Sequence, residues 1–195
     1  MTSTAPNEEH RLRLNQLSAF LHESAQIQAD WGVYSDEHTD LDGWPHDEHA
    51  YGLRQSRRDA DTWRAFERVW YCGKELLATA EHQLQQLPAR RIQNRWVWQL
   101  GTLGTALERL QALQTEWTDV RGSLPGFASP GTEEYDGALS DRNADAWTYL
   151  DDWSTHGQAV LDIHAAAQRA PSPLTSSALA TTPALPAPVS PPVRR

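Results

Sequence analysis

The chain is poor in the residues that most chemistry draws on. Cys72 is its only cysteine, which excludes an internal disulfide and any zinc site built mainly from thiolates. Lys74 is its only lysine, against sixteen arginines. That imbalance, with the alanine- and proline-rich C-terminus, reads as the codon usage of a GC-rich, bacterial coding sequence rather than as phosphate recognition. No stretch approaches the 18 or so consecutive apolar residues of a membrane-spanning helix. The first residues lack a basic segment followed by an apolar one, so no secretory signal is expected. Basic excess is missing too. The formal charge is −9, which opposes binding to nucleic acid or to an anionic membrane. Together these features fit a reducing cytosol, and the expected location is cytoplasmic.

Motifs of catalysis are also absent. There is no Gly-x-Ser-x-Gly elbow, phosphate loop or His-Glu-x-x-His pair. None of the eight histidines has a glutamate three residues before it, so the Glu-x-x-His pairs of di-iron bundles are excluded. His82 lies ten residues beyond Cys72, about 15 Å along a helix, too far to serve as its base. Asp151 and Asp152 are helix neighbours that do not face each other. No catalytic residue and no cofactor are expected.

What the chain has in abundance is tryptophan, nine in 195 residues, and most of it lies at helical spacing. Positions 63, 66, 70, 73, 77, 80, 84 and 87 read Trp, Phe, Trp, Gly, Leu, Ala, Leu and Leu, alternating steps of three and four. Trp96, Leu100, Leu103, Leu107, Leu110, Gln114 and Trp117 repeat the pattern. The second stripe is displaced from the first by two residues, a rotation of roughly 200° at 100° per residue. With Pro88 at the junction, this predicts a reversal into an antiparallel hairpin.

Four helices are expected. The first spans about 8–31, capped by Asn7, with Leu14, Leu17, Phe20, Leu21 and Ile27 inward and Gly32 as its stop. The second starts at Ser56 or Asp61 and reaches Leu87. The third spans 89–121 and stops at Gly122; its Gly101 and Gly104, costing about 1 kcal/mol each against alanine, imply close approach of another helix. The fourth spans 141–168, capped by Ser140 or Asp141, with Trp147, Leu150, Trp153, Val160, Leu161 and His164 on a broad face. The expected fold is all-α, an antiparallel four-helix bundle forming one domain over 1–169. Residues 170–195 hold seven of the twelve prolines and no aromatic residue, so a disordered tail is expected there.

Between helices one and two lies the segment with the most recognition chemistry. Residues 34–51 concentrate Asp36, Glu37, Asp40, Asp42, Asp47 and Glu48, three histidines, and Tyr34, Trp44 and Tyr51. Asp40, Asp42 and Gly43 match the third, fifth and sixth places of an EF-hand calcium loop. His38 and His49 occupy the first and twelfth places, where its indispensable carboxylates belong, so calcium is not expected. His38, His46 and His49 are a candidate set for a transition metal, although their spacing matches no closed motif. Otherwise the loop is an acidic surface pinned by Tyr34, Trp44 and Tyr51. Trp98 lies off the main stripe and is expected to pack on a second helix or to face a partner. Arg54, Arg57, Arg58, Arg64 and Arg68, with Arg90, Arg91 and Arg95, are expected to pair with the acidic stretches 36–48 and 133–152.

The expected function is non-catalytic protein–protein interaction, with another protein or with itself. Tyr34, Asp40, Asp42, Trp44, Tyr51 and Trp98 are the candidate contact residues. The alternative is a small-molecule or metal-binding bundle that uses the 34–51 loop.

Overall fold

The computed structural model describes residues 4–170, with side chains from residue 7 onward. It is all-helical: α1 Thr4–His38, α2 Glu48–Trp70, α3 Gly73–Gln86, α4 Asn94–Ser123, α5 Glu133–His156 and α6 Gln158–Gln168, with a single 3-10 turn at Ala89–Arg91. The expected tail, Ala170 apart, lies outside the described residues.

Each interior stripe is buried as its spacing requires. Trp63, Phe66, Gly73, Leu77, Ala80, Leu84 and Leu87 face the core from α2 and α3, and Trp96, Leu100, Leu103, Leu107, Leu110 and Trp117 from α4. Leu17, Phe20, Leu150 and Trp153 fill the centre and are wholly buried. Phe20 meets Phe66 edge-on at 5.2 Å, and Phe66 meets Trp153 at 5.3 Å, so aromatic pairs tie α1, α2 and α5 together. Trp70 is the exception on its stripe. It is half-buried and leans on Trp63 at 5.7 Å.

The chain reverses where the stripes change phase. Leu87 and Pro88 are extended, a 3-10 turn follows, and α4 begins at Asn94. The site of a Cβ on Gly73 lies 3.2 Å from Leu107, so α4 runs back along α3.

Several expected boundaries are corrected. α1 begins at Thr4, so Asn7 is inside it. It does not stop at Gly32 but continues to His38, because its last turns have aromatic partners across the loop. α2 starts at Glu48, not at Ser56 or Asp61. Asp47 is the N-cap, its carboxylate accepting the Ala50 N–H at 3.0 Å. The single helix expected up to Leu87 breaks at Tyr71–Cys72, where Gly73 lets Leu107 and the Trp153 ring come close (3.7 Å). α4 runs through Gly122 to Ser123, ahead of Pro125. The fourth expected helix begins eight residues early at Glu133 and is divided at Gly157. Neither Ser140 nor Asp141 is a cap; Ser140 Oγ donates to Ser56 Oγ at 3.1 Å. Gly157 is the tight position here: a Cβ would lie 3.0 Å from Leu21 Cδ2 and 2.6 Å from the Trp153 carbonyl. Gly101 and Gly104, expected to admit another helix, have nothing within 4 Å of a Cβ.

Among the described residues no helix is long and apolar enough to cross a membrane.

Candidate functional site

The expected recognition segment contracts, once folded, to a nine-residue turn, 39–47, held between two aromatic helix ends. On the α1 side the His38 ring stacks on Tyr34 at 4.0 Å and 17°. On the α2 side Tyr51 meets Trp31 edge-on at 5.0 Å, and its hydroxyl lies 2.8 Å from Ser35 Oγ. The Arg54 guanidinium covers the Tyr34 ring at 5.6 Å. Polar–aromatic contacts thus replace the apolar stripe that continued helices would have shown.

The turn is shaped by its own hydrogen bonds. Asp40 Oδ1 accepts the N–H groups of Asp42 and Trp44, both at 2.9 Å. The Asp40 N–H donates to the Trp44 carbonyl at 2.9 Å, and the His46 N–H to the His38 carbonyl at 2.9 Å. Gly43 takes φ 84°, a conformation that glycine adopts without strain. Asp40 and Asp47 are therefore occupied in shaping the turn and capping α2, while Asp36, Glu37, Asp42 and Glu48 keep free carboxylates at the surface.

Trp44 does not pin this turn to the helices as expected. Its side chain is 68% exposed, and neighbouring Leu41 is fully exposed. Val33 and Leu53 are also exposed where α1 ends and α2 begins. Tyr34 and Tyr51 are half-buried, within the aromatic contacts that join the two helix ends. Trp98 is elsewhere, near the start of α4, 60% exposed and touching the ring of His156, at the end of α5, edge-on at 4.8 Å. His38, His46 and His49 are not gathered. Among the described residues no three His, Cys, Asp or Glu side chains are close enough to share an ion.

Arg57, Arg58, Arg64 and Arg68 have partners other than the acidic loops expected for them. Arg58 forms two hydrogen bonds to Asp59, at 2.7 and 2.8 Å, and lies between the ring faces of Trp147 (3.6 Å) and Trp31 (4.4 Å). Asp59 is 1% exposed; burial raises its pKa, against the lowering pull of Arg58. Arg57 and Arg64 pair with Asp61, and Arg68 with Glu23. Arg142 lies 3.8 Å over Trp63, with Nε and Nη1 buried and without acceptors. Burial lowers its pKa to about 10, although Glu67 and Tyr135 pull upward. Trp63 and Trp147 were expected on inward apolar faces, and nothing was expected of Trp31. The missed signal was an arginine or tryptophan on each packing face, at positions 31, 58, 63, 142 and 147.

Two open recesses are near these elements. One, of about 50 Å³, lies between α1 and α2 among Trp31, Arg54, Arg57 and Arg58. The other, about 190 Å³, is lined by Trp63, Glu67, Trp70, Tyr71 and Gln114. Compared with protein-family models, with curated proteins and with solved structures, the chain matches none.

Proposed function

We propose that this protein is a non-catalytic, cytoplasmic binding module that docks another protein through the turn between α1 and α2. Its scaffold is read as an antiparallel four-helix bundle in which two arms, α2–α3 and α5–α6, are each broken once. The observation that supports the docking reading is the presentation of Trp44 and Leu41. An indole and an isobutyl group stand in solvent on a turn that the hydrogen bonds of Asp40, and of His46 to His38, hold in shape. A preformed turn loses little entropy on binding, and an exposed indole is a characteristic anchor. The carboxylates of Asp36, Glu37, Asp42 and Glu48 are exposed on the same turn and on the helix ends beside it, so the partner surface is expected to be basic with an apolar pocket.

The test compares the parent, Trp44→Ala and Leu41→Ser in pull-downs from the source cytosol, with thermal melts alongside. The expected result is loss of the same partner from both folded variants. An unchanged partner set from variants that melt like the parent refutes the turn as the docking surface. A second reading, a small-molecule binder, is favoured by the 190 Å³ recess between α2 and α4, where Trp63, Trp70 and Tyr71 offer aromatic surface beside the Gln114 amide. A small molecule retained at one equivalent in native mass spectra, and lost from Trp70→Ala, would favour it.

A further inference from the structure

Three polar side chains from three helices converge away from the turn, where the first part of α1 crosses α3 and α6. His10 Nε2 stands 3.3 Å from His164 Nδ1, and the Gln83 carboxamide nitrogen 3.2 Å from that same His164 nitrogen. The hydrogen bonding around this point does not close. A neutral His164 Nδ1 that accepts from Gln83 has one in-plane lone pair, so it cannot also accept well from His10. If it carries the proton instead, one N–H must serve two neighbours. Such over-subscription of one nitrogen calls for a component besides the three side chains.

We propose that His10 Nε2, His164 Nδ1 and the Gln83 carboxamide oxygen bind a divalent transition-metal ion of the zinc class, with water completing the coordination. A half-turn of the Gln83 amide brings its oxygen to the position its nitrogen now holds, 3.2 Å from His164 Nδ1, so that two imidazole nitrogens and one carbonyl oxygen each have a lone pair to offer an ion. The spacing suits this. Ligands about 2.0–2.1 Å from zinc at tetrahedral angles stand about 3.3–3.4 Å apart, close to the separations seen here. Imidazole nitrogens favour zinc, copper and nickel over calcium or magnesium. Burial lowers the pKa of both rings, and His164 and Arg13 add to this at His10. Arg13 opposes a dication, but its guanidinium is paired with Glu9 at 2.6 Å. All three residues are half-buried rather than sealed, so an ion can enter. A bound ion would tie α1 to α3 and α6. The site is independent of the turn at 39–47 and of the dispersed His38, His46 and His49.

The experiment uses the full untagged chain, stripped with EDTA and titrated with zinc chloride in a calorimeter and with cobalt(II) chloride in a spectrophotometer. The expected result is one equivalent of zinc, a cobalt spectrum of tetrahedral type, and movement of the imidazole 15N signals of His10 and His164 in the parent protein. Affinity should fall at least tenfold in His10→Ala and in His164→Ala, and less in Gln83→Ala. It should be unchanged in the triple variant His38→Gln, His46→Gln, His49→Gln. Failure of the parent to bind one equivalent overturns the proposal. So does parental affinity in a folded His10→Ala, or loss of binding in the triple variant. Should His10→Ala not fold, the nitrogen signals of the parent decide: no shift at His10 and His164 on saturation refutes the site.

Discussion

The Arg58 guanidinium lies 3.6 Å from the centroid of the Trp147 ring, so a charge on α2 is held against the face of an aromatic on α5. Trp31 of α1 closes the other side, and Asp59 neutralises the charge along its edge. Three helices meet at one ion pair that is almost wholly out of water. Arg58→Ala leaves Asp59 buried and unpaired and is expected to cost about 3–5 kcal/mol. Arg58→Lys should recover little, since a lysine ammonium has neither the fork for Asp59 nor the plane for two indoles. The double change Arg58→Met with Asp59→Asn should cost less than Arg58→Ala. Urea unfolding of the three variants measures this, and an alanine variant within 1 kcal/mol of the parent would contradict it.

Glycines at different sites should respond in opposite directions. Gly157→Ala forces its methyl against Leu21 and the Trp153 carbonyl, and a loss of about 1–3 kcal/mol is expected from overpacking. Gly101→Ala and Gly104→Ala enter open space on a helix, and each should add about 0.5–1 kcal/mol. Thermal melts of the single variants report the sign directly.

Burial raises the pKa of Cys72 above the ordinary thiol value, with Glu75 adding to this and Arg13 opposing it. In the native protein the thiol should react slowly with iodoacetamide at pH 8, and rapidly once denatured. The sign of the linkage follows. Below the unfolded thiol pKa both states carry the proton, and the stability is insensitive to this group. Above it the unfolded chain releases the proton first, so stability should fall as pH rises beyond about 9. Cys72→Ala should flatten the alkaline limb of that profile, measured by urea midpoints between pH 7 and 10.

The two aspartates of the turn should separate cleanly. Asp40→Ala removes the acceptor for two N–H groups and should speed hydrogen exchange at the Asp42 and Trp44 amides, with little change in melting temperature. Asp42→Ala should leave those amides protected, because its carboxylate holds no part of the turn. Amide-resolved exchange by NMR distinguishes the two.

The helices and their inward faces were legible because apolar spacing is dictated by helix geometry, and Leu100, Leu103, Leu107 and Leu110 could face in only one direction together. The reversal after Leu87 was legible for the same reason. Helix ends were less so. α1 extends beyond Gly32 and α2 begins before Ser56 because Trp31, Tyr34, Tyr51 and Arg58 pack ring against ring and ring against guanidinium, which no apolar period records. The break at Tyr71–Cys72 depends on Leu107 and Trp153, partners distant in sequence. In the candidate site, the exposure of Trp44 and the division of labour between Asp40 and Asp42 come from backbone hydrogen bonds that composition does not reveal. His10, Gln83 and His164 are 154 residues apart at their extremes, and only the crossing of three helices makes them neighbours.

The two interruptions of the long arms fall at one level, since Gly73, which opens α3, lies against the Trp153 ring, one turn before Gly157. A ring on one arm therefore sits at the joint of the other. Only α1 and α4 pass this level without a break. The molecule is in effect two storeys, one made with α2 and α5 and the other with α3 and α6, sharing two continuous columns. Such a construction can open one storey while the other stays closed. Amides of α3 and α6 should then exchange as one cooperative unit and those of α2 and α5 as another, with Trp153 common to both.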